Sequence, residues 1–153
     1  MKTLYTAEAL TVGEGRDGHG RTSDGKLDLE LAIPKEMGGS GNGTNPEQLF
    51  AVGYAACFHS ALRVVGRQEH ADVSDSAVGA SVSIGQLDNG GFGLVVELEI
   101  TLPNVDPQTA QQLAEKGAPD LPVLQRHPRQ HRRQTGRHRR LNRLETAGRS
   151  RFR

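Results

Sequence analysis

At Lys116 the chain changes character, and that change limits what can fold. Residues 1–116 carry 8 Lys/Arg against 16 Asp/Glu, a balance of −8, whereas residues 117–153 carry 11 Arg against 2 acids, a balance of +9. The net charge of +1 averages two unlike segments. The first holds alternating apolar patterns, turn dipeptides and helix caps. The second, "GAPDLPVLQRHPRQHRRQTGRHRRLNRLETAGRSRFR", sustains no apolar period and has no aromatic residue before Phe152, a composition that predicts disorder. One globular domain is expected over 1–116 and an Arg-rich tail over 117–153. No stretch reads as a membrane span, and "MKTLYTAEALTVGEG" lacks the apolar core of a secretory signal, so a cytoplasmic chain is expected.

The first segment alternates as strands do. "KLDLELAI" (26–33) sets Leu27, Leu29, Leu31 and Ile33 on one face and Lys26, Asp28 and Glu30 on the other. Asp24-Gly25 before it predicts a tight turn from an earlier strand. "VGASVSI" (78–84) and "LVVELEITL" (94–102) alternate in the same way, and "DNGG" (88–91) between them tolerates the positive φ of a hairpin turn. These two strands should pair antiparallel.

Two helices open alike. Asn45-Pro46-Glu47-Gln48 supplies an N-cap, a proline where the missing N–H costs nothing, and a glutamine that completes a capping box. Asp106-Pro107 opens the other. The first should run from Pro46 to about Arg67 as a central buried helix, with Gly53 and Ala55 thinning its surface. The element order gives an α+β fold with antiparallel sheet.

That helix carries the one cysteine, Cys57. Position alone favours a small core residue, and three turns from the N-terminus the helix dipole does little for a thiol. A reactive Cys57 needs a cation brought from elsewhere. His59, two residues on, points to another side of the helix and is not assigned as a base. Arg16 by itself reads as a solvated turn residue, and Glu47 as a carboxylate favoured at a helix N-terminus. "GEGRDG" lacks the spacing and the Lys-Ser/Thr pair of a phosphate loop.

"NPEQLFAVGYAACF" closely resembles the central motif of the organic hydroperoxide resistance proteins, a branch of the OsmC/Ohr family. "EGRDGHGRTSDGKLDLELAIPKEMGGSGNGTNPEQLF" and "GGFGLVVELEITLP" match in kind and order, so the resemblance covers about residues 4–116. It implies a cysteine-based peroxidase that reduces organic hydroperoxides, fatty-acid hydroperoxides included, to alcohols in oxidative-stress defence. No metal or haem is implied, and no bound cofactor. Cys57 matches the peroxidatic cysteine, Arg16 the catalytic arginine and Glu47 the glutamate that holds it, by a bond that could be bidentate. The resemblance further implies an intertwined homodimer, antiparallel sheets around the long helices and two active sites at the subunit interface. The reductant it implies is an external dithiol, the lipoyl group of a lipoylated protein. Leu49, Phe50 and Phe58 would suit the acyl part of the substrate, and equally a dry core.

The chain departs from the family after Lys116. Relatives carry a second, resolving cysteine in a stretch resembling "AHQICPYSNATRGNIDV", and none follows here. Codons can be chosen for Gly117–Arg133 so that dropping one base yields Ala-His-Gln-Ile-Cys-Pro-Tyr-Ser-Asn-Ala-Thr-Arg-Gly-Asn-Ile-Asp. A shifted reading frame is therefore expected, and turnover is in doubt without the second thiol. Other functions compete: an acidic domain whose Arg-rich arm binds nucleic acid or another polyanion through counterion release, and a non-enzymatic hydroperoxide sensor or OsmC-like protein of different substrate range. The arm lacks interleaved aromatics and any DNA-binding motif, so specific nucleic-acid binding is not expected.

Overall fold

A computed structural model of the chain describes residues 2–118. The expectations of disorder and of a shifted frame concern 117–153, all outside that range save Gly117, which ends a helix and is buried, and its cap Ala118. Within it the fold is α+β.

Three strands come first: β1 (Ala9–Glu14), β2 (Asp17–Thr22) and β3 (Asp28–Glu30), antiparallel in that order. β1 and β2 are joined by Gly15-Arg16 alone, since Glu14 pairs with Asp17, and Gly15 supplies the positive φ (67°) such a short hairpin needs. The expected turn at Asp24-Gly25 forms: Gly25 N–H donates to the Thr22 carbonyl at 2.9 Å and Thr22 N–H to that of Leu27 at 2.9 Å. β3 is shorter than the alternation over 26–33 predicts. Beyond Glu30 the chain stays extended, but Leu31 bridges Thr44 in parallel and Ala32 N–H donates to the Thr44 carbonyl at 3.0 Å. The alternating pattern marked extended backbone, and the loop before the long helix took half of its pairing.

That helix, α1 (Pro46–Gln68), starts with the predicted capping box: Asn45 Oδ1 accepts from Gln48 N–H at 2.9 Å, and Gln48 Oε1 accepts from Asn45 N–H at 3.0 Å. It stops where His70 turns left-handed (φ 54°) and Ala71 N–H closes onto the Gly66 carbonyl at 2.9 Å. Gly66 is needed there, because a Cβ would sit 2.7 Å from Cγ2 of Val73. β4 (Ala77–Gln86) and β5 (Phe92–Thr101) form the expected antiparallel hairpin, with Ile84 opposite Leu94. α2 (Pro107–Gly117) is capped by Asp106, whose Oδ1 accepts from Gln108 and Thr109 N–H.

The core gathers Phe58, Leu62 and Val65 of α1, Leu113 of α2 and Val73, backed by Val78, Leu98, Ile100 and Leu102. Each fully buried member contributes about 1.5–3 kcal/mol by leaving water. The expectation of a central buried helix holds for one side only. β4 and α2 cover one side of α1, and the other keeps Val52 72% exposed, with Leu49 and Val64 also open. By length and mean hydropathy (1.4) α1 could cross a membrane, but its inward face is spent on this core. β1, too, is exposed along its whole length.

Candidate active site

The site grows from two chain reversals. The tight β1–β2 turn carries Arg16, and the first turn of α1 carries Glu47 one residue after the proline. They meet side by side: Arg16 Nη1 donates to Glu47 Oε2 at 3.0 Å and Nη2 to Oε1 at 2.5 Å. This is the bidentate fork that a guanidinium and a carboxylate form best. The Glu47 side chain is only 13% exposed and that of Arg16 34%. The Arg16 hydrogen bond holds the Glu47 carboxyl below its usual pKa against the opposing effect of burial, and Glu47 in turn raises that of Arg16. The pair is thus ionised at neutral pH.

Beside it lies a cavity of about 280 Å³. Arg16 and Glu47 form its polar end, while Phe50 of α1 and Ile84, Phe92 and Leu94 of the β4–β5 hairpin form its apolar wall. An apolar chamber ending in a fixed cation suits a ligand with an apolar body and a polar, electron-rich head. The hairpin's part in it was not read from the sequence. Alternation found Ile84 and Leu94 as strand residues, but no local signal says that the strand ends overhang the start of α1.

Cys57 is exposed. It shares a stripe of α1 with Glu47, Phe50 and Tyr54, at spacings of three, four and three residues. Between Glu47 and Cys57 the rings of Phe50 and Tyr54 stack, centroids 5.7 Å apart and planes 22° apart. Ten residues of helix also separate Cys57 from Glu47 by about 15 Å along the axis. Arg16 and Glu47 are thus brought together within the chain, and Cys57 is not brought to them. The three apolar residues named for an acyl site or a dry core part company. Phe58 is turned into the core, 2% exposed, Leu49 is absent from the cavity lining, and Phe50 is part of it. The helical period explains it, because Phe58 lies 100° round the helix from Cys57. His59 is engaged elsewhere, its Nε2 2.9 Å from Ser76 Oγ, tying α1 to the approach to β4.

Known proteins carry the same arrangement of chain. A family model described as OsmC-like protein matches residues 39–125. An organic hydroperoxide resistance protein of Xanthomonas axonopodis pv. citri is 49% identical over 117 residues, 75% of this chain and 81% of its own length. The organic hydroperoxide resistance protein OhrB of Bacillus subtilis is 40% identical over 111 residues, 72% of this chain and 80% of its own. Among solved structures, an organic hydroperoxide resistance protein from Elizabethkingia anophelis superposes with a TM-score of 0.71 at 47% identity, covering 76% of this chain and 84% of that one. These similarities and the α+β architecture agree with the motif around Cys57, and the chain belongs to the OsmC-like family, in its organic hydroperoxide resistance branch.

Proposed function

We propose that the protein is a thiol-dependent peroxidase that reduces organic hydroperoxides, long-chain ones included, to alcohols, with Cys57 as nucleophile. The observation that carries the reading is the bidentate Arg16–Glu47 pair at the end of an apolar cavity, on the helix that presents an exposed Cys57. The Cys57 thiolate attacks the terminal oxygen of the hydroperoxide, forming an S–O bond as the O–O bond breaks. Sulfur is oxidised to sulfenic acid, the peroxide is reduced, and the alkoxide leaves and takes a proton from water. Negative charge thus sits first on sulfur and then across the breaking bond. Arg16 is suited to both, being permanently charged and a multiple donor, and Glu47 fixes its plane. The apolar wall would take the carbon chain.

With Glu47 and Cys57 about 15 Å apart along the helix, the cation reaching a given thiol would come from a second copy. The exposed apolar side of α1 and the uncovered β1 offer the surface for such a homodimer. A dithiol, of the kind lipoylated proteins carry, would then attack the sulfenic sulfur, release water and restore the thiol by exchange. With one cysteine in the sequence, no internal thiol intervenes.

Sulfenic-acid trapping tests this. Reduced protein treated with one equivalent of a fatty-acid hydroperoxide should take up a dimedone-type label in wild type and none in Cys57→Ser, with Arg16→Ala labelling far more slowly. Equal labelling of wild type and Cys57→Ser, or no peroxide consumption by folded wild type, overturns the proposal.

A further inference from the structure

His19 lies on β2, three residues beyond Arg16. Its ring is held between two carboxylates of β3, with Nε2 2.8 Å from Asp28 Oδ1 and Nδ1 2.9 Å from Glu30 Oε1. A neutral imidazole has one N–H, so one of these contacts would set a nitrogen lone pair against a carboxylate. The imidazolium satisfies both, as a hydrogen bond from Nδ1 to Glu30 and as an ion pair of Nε2 with Asp28. In accord, the Glu30 hydrogen bond, helped by the charges of Asp28 and Glu30, raises the pKa of His19 above its ordinary value. The other charged neighbours are on β2 and β1. Arg21 sets its Nε 3.6 Å from Asp28 Oδ2, Asp17 follows on the same face of β2, and β1 presents uncharged Val12 opposite His19 with Glu14 opposite Asp17.

The two strands joined by this ring lead to the two halves of the Arg16–Glu47 pair. β2 begins one residue after Arg16. The β3 segment is tied to it by only three register pairs, His19–Glu30, Gly20–Leu29 and Arg21–Asp28, and the ring spans all three. Past the strand, Leu31 N–H donates to the Gly18 carbonyl at 2.8 Å and Ile33 N–H to Asp17 Oδ1 at 2.8 Å. On its other edge the same segment holds Thr44, whose N–H donates to the Glu30 carbonyl at 2.9 Å, and Thr44 adjoins the Asn45 cap two residues before Glu47. The backbone connection from Arg16 to Glu47 thus runs through Gly18, Leu31, Ala32 and Thr44, and His19 clamps the two strands one residue beyond it, at Glu30.

We propose that His19, as an imidazolium held between Asp28 and Glu30, is a positioning residue that fixes β2 against β3 and so keeps the Arg16 guanidinium on Glu47. Its consequence for catalysis rests on the peroxidase reading; the positional claim rests on the geometry alone. The direction in pH follows from the raised pKa. The clamp is complete below the ordinary imidazole value and is lost as the pH rises through the raised one. The Arg16–Glu47 contact should therefore loosen on the alkaline side.

The test uses the full chain, labelled with nitrogen-15. The His19 ring C2–H and the Arg16 Nε–H are followed by NMR from acid to mildly alkaline pH. The Arg16 signal should move with the same midpoint as His19, and that midpoint should lie above 6.5. His19→Gln should abolish the inflection at Arg16. His19→Lys, which keeps a cation there, should hold the acid-form Arg16 signal throughout. The rate of the first peroxide equivalent, corrected for thiol ionisation, should fall about two- to fivefold above the midpoint in wild type, the range for an exposed ion pair, and not in His19→Lys. An Arg16 signal that ignores the titration of His19, or that titrates identically in His19→Gln, overturns the inference. Should His19→Gln not fold, Glu30→Gln asks the same question, and the wild-type titration needs no variant. Tracking of His19 by Arg16 without peroxide consumption would uphold the inference and sink the peroxidase reading instead.

Discussion

Removing the Arg16–Glu47 fork in a double-mutant cycle gives the sharpest check on the site. Arg16→Met keeps the unbranched stem, and Glu47→Gln keeps the shape of the acid. A hydrogen bond to a charged group is worth about 1.5–3 kcal/mol, and a solvent-exposed ion pair about 0.2–1 kcal/mol. The two bonds of 3.0 and 2.5 Å and the 13% exposure of Glu47 argue for the upper range, while the 34% exposure of Arg16 argues for screening. Between these limits the expected coupling is about 1–2 kcal/mol. Arg16→Met should be the costlier single change, because it leaves a carboxylate beside Phe50 without its cation. The interaction of Glu47 with the helix N-terminus cancels in the cycle. The assay is urea unfolding of the four proteins at pH 7, where a coupling of 1–2 kcal/mol moves the midpoint by roughly 1 M. A lowered Glu47 pKa means that the contribution is complete above the ordinary carboxylate value and is lost as the pH falls through the lowered one, so the coupling should survive to pH 5 and vanish in stronger acid. Single effects that add to within about 0.3 kcal/mol at pH 7 would refute the reasoning, because the fork would then hold nothing in place.

Three further outcomes are expected. Leu62→Ala, at the wholly buried centre of the core, should cost about 3–4 kcal/mol in thermal or urea unfolding without changing the first-equivalent peroxide rate of the folded fraction. Val52→Asp on the open side of α1 should weaken self-association in analytical ultracentrifugation and lower peroxidase activity with it, whereas Leu87→Asp in the β4–β5 turn should do neither. Turnover driven by a lipoyl dithiol should be weak after the first equivalent of peroxide, and deleting one base in the codon of Gly117 should raise it by restoring a second cysteine; a gene that already sustains full turnover refutes the shifted-frame reading.

The elements legible in the sequence were those whose signal is local. The capping box at Asn45, the hairpin of β4 and β5 and the Asp106 cap each depend on neighbours a few residues away. The run from Lys26 to Ile33 misled about strand length, since alternation reports extended backbone and not the partner that receives its hydrogen bonds. The candidate site divides likewise. Cys57, Arg16 and Glu47 came from resemblance to a family, because a turn arginine and a first-turn glutamate carry no signal that they will meet across 31 residues. The sequence marked α1 as a central helix, but which side faces this chain's core and which stays open depends on where β4 and α2 dock.

The ten-residue offset between Glu47 and Cys57 has a consequence for how such an enzyme comes into being. If the peroxidase reading holds, a lone chain, with Cys57 ten helix residues from the glutamate that holds Arg16, would lack a complete centre. Association would then complete it, and peroxide-reducing power should climb as the square of dilute chain concentration before becoming linear once pairing saturates. Mixed pairs follow from the same offset. Chains lacking Cys57 combined with chains lacking Arg16 would each supply what the other has lost, so two dead proteins together would recover one working centre in every mixed pair. Abundance, and not only chemistry, would then decide when a cell's supply of this protein begins to defend it.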